Sequence, residues 1–135
     1  MWIAHPQGFA SIIKTPGKPG FISLRFRSVL HARRWQAAFP ASLGKVEIEA
    51  RHGADYALAR MTIPAVSFPD LMRELAGTVT YSNVKGATET EWGFGDAYVT
   101  AMHEAWSVFH RVQDDPKHRG SPAARRVNPI RRDRR

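Results

Sequence analysis

The residue types best suited to chemistry in this chain are the arginines near its C-terminus. Arg125-Arg126 and Arg131-Arg132-Asp133-Arg134-Arg135 stand among Pro116, Gly120, Pro122 and Pro129 with few apolar neighbours. A guanidinium can pair bidentately with phosphate oxygens, so adjacent arginines suit contact with a phosphate backbone. From residue 116 onward, Lys117, Arg119, Arg125, Arg126, Arg131, Arg132, Arg134 and Arg135 oppose Asp133 alone, a net of +7. The whole chain carries +8, which leaves residues 1–115 nearly neutral at +1. A segment so poor in apolar side chains cannot offset its ordering entropy, and the sequence predicts a disordered tail over 116–135. The bland alternative is a solubilising tail, but paired arginines exceed what solubility needs. The tail holds no aromatic residue, so the expected contact positions nucleic acid nonspecifically without stacking on its bases.

A second candidate lies at Tyr81-Ser82-Asn83-Val84-Lys85, where an aromatic ring, an amide and an amine fall within five residues of a helix exit. These groups suit a polar ligand or a peptide backbone, and Tyr81, Asn83, Lys85, His103 and Trp106 form the candidate ligand or partner site. The structural alternative is a helix-terminating turn in which Asn83 takes a left-handed conformation and Tyr81 packs inward. His103 and His110, seven residues apart on one expected helix, sit roughly 10 Å apart along its axis, too far to share a metal ion. His5, His31, His52 and His118 are scattered over other segments. A lone histidine beside Trp106 reads as a packed or hydrogen-bonding side chain before it reads as a general base.

Several chemistries are excluded. There are no cysteines, which removes disulfides, thiolate metal sites and cysteine nucleophiles. No phosphate-binding glycine loop ending in Gly-Lys-Ser/Thr occurs, and Gly93-Phe94-Gly95 is too short to be a nucleotide fingerprint. No catalytic residue, cofactor or metal is assigned. An enzyme using His103 with Tyr81, Asn83 or Lys85 would need those side chains to converge on one pocket. Arg25, Arg27, Arg33 and Arg34 could make a further basic patch, but they read better as solvated exteriors partly balanced by Glu47 and Glu49.

The elements that must position these groups follow from apolar spacing and punctuation. Phe9 to Thr15 reads as a strand, ended by the Pro16–Gly20 turn cluster. Ile22, Leu24 and Phe26 then alternate with Ser23, Arg25 and Arg27, a second strand that completes a hairpin. Ser28 caps a helix whose Val29, Ala32, Trp35 and Phe39 face one way, and Pro40 stops it. Val46 to Ala50 and Tyr56 to Ile63 read as another strand pair around the turn Arg51–Asp55. Phe68, Leu71, Met72, Leu75 and Val79 make an amphipathic helix with Pro69 in its first turn. Residues 81–95 look irregular. Asp96 caps a last helix with Tyr98, Met102, Ala105, Phe109 and Val112 as its expected inward stripe.

Met1-Trp2-Ile3, then Gly8-Phe9-Ala10-Ser11-Ile12-Ile13, Thr80-Tyr81-Ser82-Asn83-Val84-Lys85, and His103 with Trp106 occur in an order that resembles a widespread family of small bacterial and phage proteins. That family carries an acid at the position of Thr80 and a phenylalanine at the position of Val84. The resemblance spans most of residues 1–112, implies a shared fold and carries no activity with it.

The chain is therefore expected to fold as a single α+β domain over residues 1–115, with a four-stranded antiparallel sheet in the order β-β-α-β-β-α-α and helices on one face. No apolar run reaches the roughly 20 residues that span a bilayer, and the start, Met1 to Pro6, does not read as a secretory signal, so a soluble cytoplasmic protein with no membrane partner is expected. The expected function is a non-enzymatic binding protein whose tail contacts nucleic-acid phosphates or a nucleoprotein assembly. The alternative is a protein-interaction module, such as a phage or mobile-element inhibitor of a host system.

Overall fold

The alternation of Ile22, Leu24 and Phe26 with Ser23 and Arg25 becomes the central strand of an antiparallel sheet in the computed structural model, which describes residues 1–50 and 57–114. The described elements run β1 (Trp2–His5), β2 (Gly8–Lys14), β3 (Phe21–Phe26), α1 (Val29–Ala38), α2 (Pro40–Leu43), β4 (Glu49–Ala50), β5 (Ala59–Pro64), a 3-10 turn at Ala65–Ser67, α3 (Phe68–Gly77), α4 (Val84–Trp92) and α5 (Ala97–Asp114). Strands lie in the spatial order β1-β2-β3-β5-β4. The α+β class stands, but the sheet has five strands where the sequence suggested four.

The added strand is β1, paired with β2 from Trp2↔Ser11 to His5↔Gly8. It is only four residues long and turns through Pro6-Gln7, which carries none of the Asn-Gly or Asp-Gly chemistry that announces a tight hairpin. Reciprocal bonds fix its start, with the Met1 amino group donating to the Ile12 carbonyl at 2.8 Å and the Ile12 amide donating to the Met1 carbonyl at 2.7 Å. The second expected hairpin shrinks. β4 keeps two residues of Val46–Ala50, and β5 begins at Ala59. Val46 and Ile48 instead pack against the core from an irregular segment. The expected turn at Arg51–Asp55, and Tyr56, lie outside the described residues.

Register turns the alternation into two unlike faces. On the inner face Ala10 aligns with Phe26 and Ala59, and Ile12 aligns with Leu24 and Met61. The α1 stripe lands there, with Ala32, Trp35 and Phe39 fully buried, joined by Leu43 from α2 and by Leu71 and Leu75 from α3. Trp35 sits edge-on to Phe26 and Phe39, with ring centroids 5.5 Å and 5.3 Å away, the arrangement aromatic quadrupoles favour. Ser28 caps α1 as expected, its hydroxyl accepting from the His31 amide at 3.1 Å. On the outer face one row runs Trp2–Ser11–Arg25–Arg60–Glu49 across the whole sheet.

Three expectations from apolar spacing fail locally. The segment 81–95 contains a regular helix, α4, which Asn83 starts by accepting from the Lys85 and Gly86 amides. Val79 lies past the end of α3 and is exposed. Along α5 only Tyr98 and Met102 of the expected inward stripe are buried, while Ala105, Phe109 and Val112 are exposed. The last turns of α5 extend past the body they were expected to cover, so helices do not simply layer one sheet face.

The β1–β2 turn is the knot that ties the late helices to the sheet. Tyr98 donates its hydroxyl to the His5 carbonyl at 3.0 Å, and the Trp92 indole donates to the Pro6 carbonyl at 2.6 Å. Arg34 donates to the Gln7 side-chain carbonyl at 3.3 Å, and the Trp35 indole donates to the Gly8 carbonyl at 3.0 Å. Four side chains from three helices thus add hydrogen bonds to this one turn and tie α1, α4 and α5 to it.

Candidate functional site

A groove of about 750 Å³ runs between α5 and the outer face of β1 and β2. Period two creates one wall, because Trp2, Ala4 and Phe9 share the sheet face opposite the core. Helical spacing creates the other, where Ala101, Ala105, Trp106 and Phe109 present one side of α5. Val84 and Lys85 close one end from the start of α4, and His31 and Tyr98 lie within. The lining is mostly apolar, and among the described residues its ionisable members are Arg27, Lys85, His31 and Tyr98, with no carboxylate. Burial pushes the Tyr98 phenol up to about 12, so it stays a neutral donor to the His5 carbonyl.

Each wall pairs a ring with a cation. The Lys85 ammonium lies 3.9 Å from the centre of the Trp106 ring, and the Arg27 guanidinium 6.0 Å from that of Phe9. Trp2 stands edge-on to Phe9 at 5.8 Å. Trp2 and Phe109 are each 66% exposed and Trp106 is 51% exposed, so three large apolar side chains lie open along one groove.

The sequence candidates divide. Lys85 and Trp106 meet in the groove. Asn83 is spent as the α4 cap. His103 binds the Glu89 carboxylate on the exposed side of α5. Tyr81 lines a different, smaller pocket beside Thr78, Thr90 and Glu91. The convergence of His103, Tyr81, Asn83 and Lys85 that an enzyme would need is absent from this arrangement. The tail residues Lys117, Arg119, Arg125, Arg126, Arg131, Arg132, Arg134 and Arg135 lie outside the described residues. In the sequence Trp2 and Phe9 are not singled out as site residues, Arg27 reads as a solvated exterior and Phe109 as part of an inward stripe. The alternation Trp2/Ala4 against Ile3/His5 was the signal for the first of them.

The other arginines are held differently. Arg25 donates to the Ser11 hydroxyl at 3.0 Å, and Glu49 stands opposite Arg60 in register, not opposite Arg25. Arg34 stacks over Trp92 at 4.1 Å and reaches Glu91 at 3.6 Å, a packing role more than a patch. Among the described residues no group of three His, Asp or Glu side chains could hold a metal ion, and no helix is long and apolar enough to cross a membrane.

No family model matches this chain, and neither a curated protein nor a solved structure shows significant similarity to it.

Two buried histidines near the groove make stability depend on pH. His31 accepts from the Phe9 amide through Nδ1 at 3.3 Å and is wedged edge-on against Trp92 and Tyr98. His5 accepts from the Gln7 amide at 3.1 Å and meets the Thr78 hydroxyl at 2.9 Å. Burial holds both below the ordinary histidine value of 6.5, outweighing the raising effects of Glu91 on His5 and of Asp96 on His31. As pH falls through 6.5 the unfolded chain takes up these protons first. Stability, complete above that value, then drops until the folded histidines also titrate. Urea midpoints measured from pH 7.5 to pH 5.5 should fall, and His31→Gln should flatten that dependence. An unchanged midpoint over the interval would refute it.

Proposed function

We propose that this is a non-enzymatic binding protein whose arginine-rich C-terminal segment engages nucleic-acid phosphates, on free nucleic acid or within a nucleoprotein assembly. The observation that carries the reading is the partition of charge, +7 over residues 116–135 against +1 over the rest. Such a segment releases condensed counterions when it neutralises phosphates. If about seven are engaged, log K falls with log salt at a slope of roughly −6. Changing Arg125, Arg126, Arg131, Arg132, Arg134 and Arg135 to glutamine in the full chain should reduce that slope by about 5 and weaken binding to duplex DNA by several orders of magnitude at low salt. Binding that is equally tight and equally insensitive to salt in both proteins would end the proposal.

A second reading, a protein-interaction module such as a phage or mobile-element inhibitor of a host system, is supported by the exposed apolar side of α5, with Trp106, Val108, Phe109 and Val112 each 44% exposed or more. Nuclease treatment before co-purification separates the two. A stoichiometric partner that persists after nuclease favours protein recognition, and one that disappears favours nucleic acid.

A further inference from the structure

We propose that the groove between α5 and the outer sheet face stacks the bases of a single-stranded nucleic acid, an inference that rests on the phosphate-binding reading of the tail and narrows it. The tail itself has no ring on which a base could stack. The fold supplies rings on the element that leads into it, since α5 ends at Asp114 and the cationic segment opens at Lys117. Trp2, Phe9, Trp106 and Phe109 line one open groove, and the two ring–cation pairs, Phe9 with Arg27 and Trp106 with Lys85, stand on its opposite walls. A nucleotide is a flat π face joined to an anion, and the exposed rings with Lys85 offer the complement of the two parts once the ammonium leaves the Trp106 face for the phosphate. Among the described residues the lining holds no carboxylate, the group that would repel a phosphate.

Other occupants fit less well. A second copy packed through α5 would bring together two C-terminal segments of +7 each, which repel. A purely aliphatic ligand would make no use of the Lys85 ammonium at the groove. Duplex nucleic acid buries its base faces in its own stack, so only a single strand can present them to these rings.

The test uses the full chain, a short oligodeoxythymidylate and a duplex of equal length, followed by tryptophan emission and by affinity across a salt series. The oligonucleotide should quench emission and the duplex should not. Trp106→Ala and Trp2→Ala should each weaken single-strand binding by about tenfold while leaving duplex affinity unchanged, and Trp106→Phe should retain most of it. The glutamine-substituted tail should lower affinity for both ligands yet preserve quenching at low salt. Unquenched emission of the unsubstituted protein at saturating oligonucleotide would overturn the stacking groove whatever the variants do, as would quenching by an anionic detergent such as dodecyl phosphate but not by the oligonucleotide. A salt slope lost with the tail arginines in that case would leave the tail reading standing. Quenching that Trp106→Ala abolishes, with a salt slope indifferent to the tail, would remove the tail reading and keep the groove.

Discussion

Replacing Trp35 by alanine should cost about 3–5 kcal/mol, most of the stability available to a domain of this size. Trp35 is fully buried and touches three rings at once, Phe26 and Phe39 at 5.5 Å and 5.3 Å and His5 at 6.1 Å. Alanine would open a cavity where the helix layer meets the sheet, and α1 cannot close it because Ala10 and Ala59 already flank Phe26 with the smallest side chains that hold the register. The same change strips the Gly8 carbonyl of its indole donor, adding the loss of a buried hydrogen bond. Trp35→Phe separates the two contributions, since it restores most of the volume but not the hydrogen bond, and should cost about 1–3 kcal/mol. Urea unfolding followed by circular dichroism reads both. A loss below 1 kcal/mol for the alanine variant would mean that α1 is not what closes the core.

The legible parts of this fold are those whose signal is local and whose burial is complete. The stripe Ala32-Trp35-Phe39 could be read because every member reaches the sheet, and the β2–β3 hairpin because Pro16–Gly20 left the chain little else to do. β1 and α4 fail the same test. β1 is a four-residue edge strand whose alternation is too short to stand out, and α4 buries only Thr88 while carrying Gly86 and two β-branched threonines, so it shows no clean period. What identified α4 was present in Asn83, but an asparagine before a polar run reads equally as a turn or a cap, and only the amides it accepts from decide which.

The groove was legible in pieces and not as a whole. Trp106 and Lys85 drew attention through the company they keep in sequence, and Phe109 was assigned to a core it does not reach. Periodicity reports which residues share a face of α5. It carries no information on where the sheet beneath that helix stops. Because β1 is the outermost strand on that side, Trp2 and Phe9 end up facing the exposed half of the stripe. A surface that an amphipathic pattern would give to the core becomes, through one short edge strand, a surface available to a ligand.

That dependence on β1 gives the second large effect, at the glycine that turns the chain into β2. Gly8 holds φ at +132°, in the region that side-chain-bearing residues rarely adopt, and a Cβ built there would lie 2.9 Å from His31 Cγ and 3.0 Å from His31 Cβ. Any retreat of His31 would break existing contacts, since its ring packs edge-on against Trp92 and Tyr98 and its Nδ1 accepts from the Phe9 amide. Gly8→Ala therefore combines backbone strain with overpacking, each worth about 1–3 kcal/mol, and should destabilise by about 2–5 kcal/mol. The two contributions can be parted. Adding His31→Ala removes the clash but not the strain, so the double variant should lose less than the two single losses summed, with a coupling of at least about 1 kcal/mol. Strictly additive losses would show that the crowding at His31 relaxes at no cost. A Gly8→Ala protein as stable as its parent would mean that the β1–β2 turn does not adopt this conformation in solution, and the wall of the groove built on it would go with it.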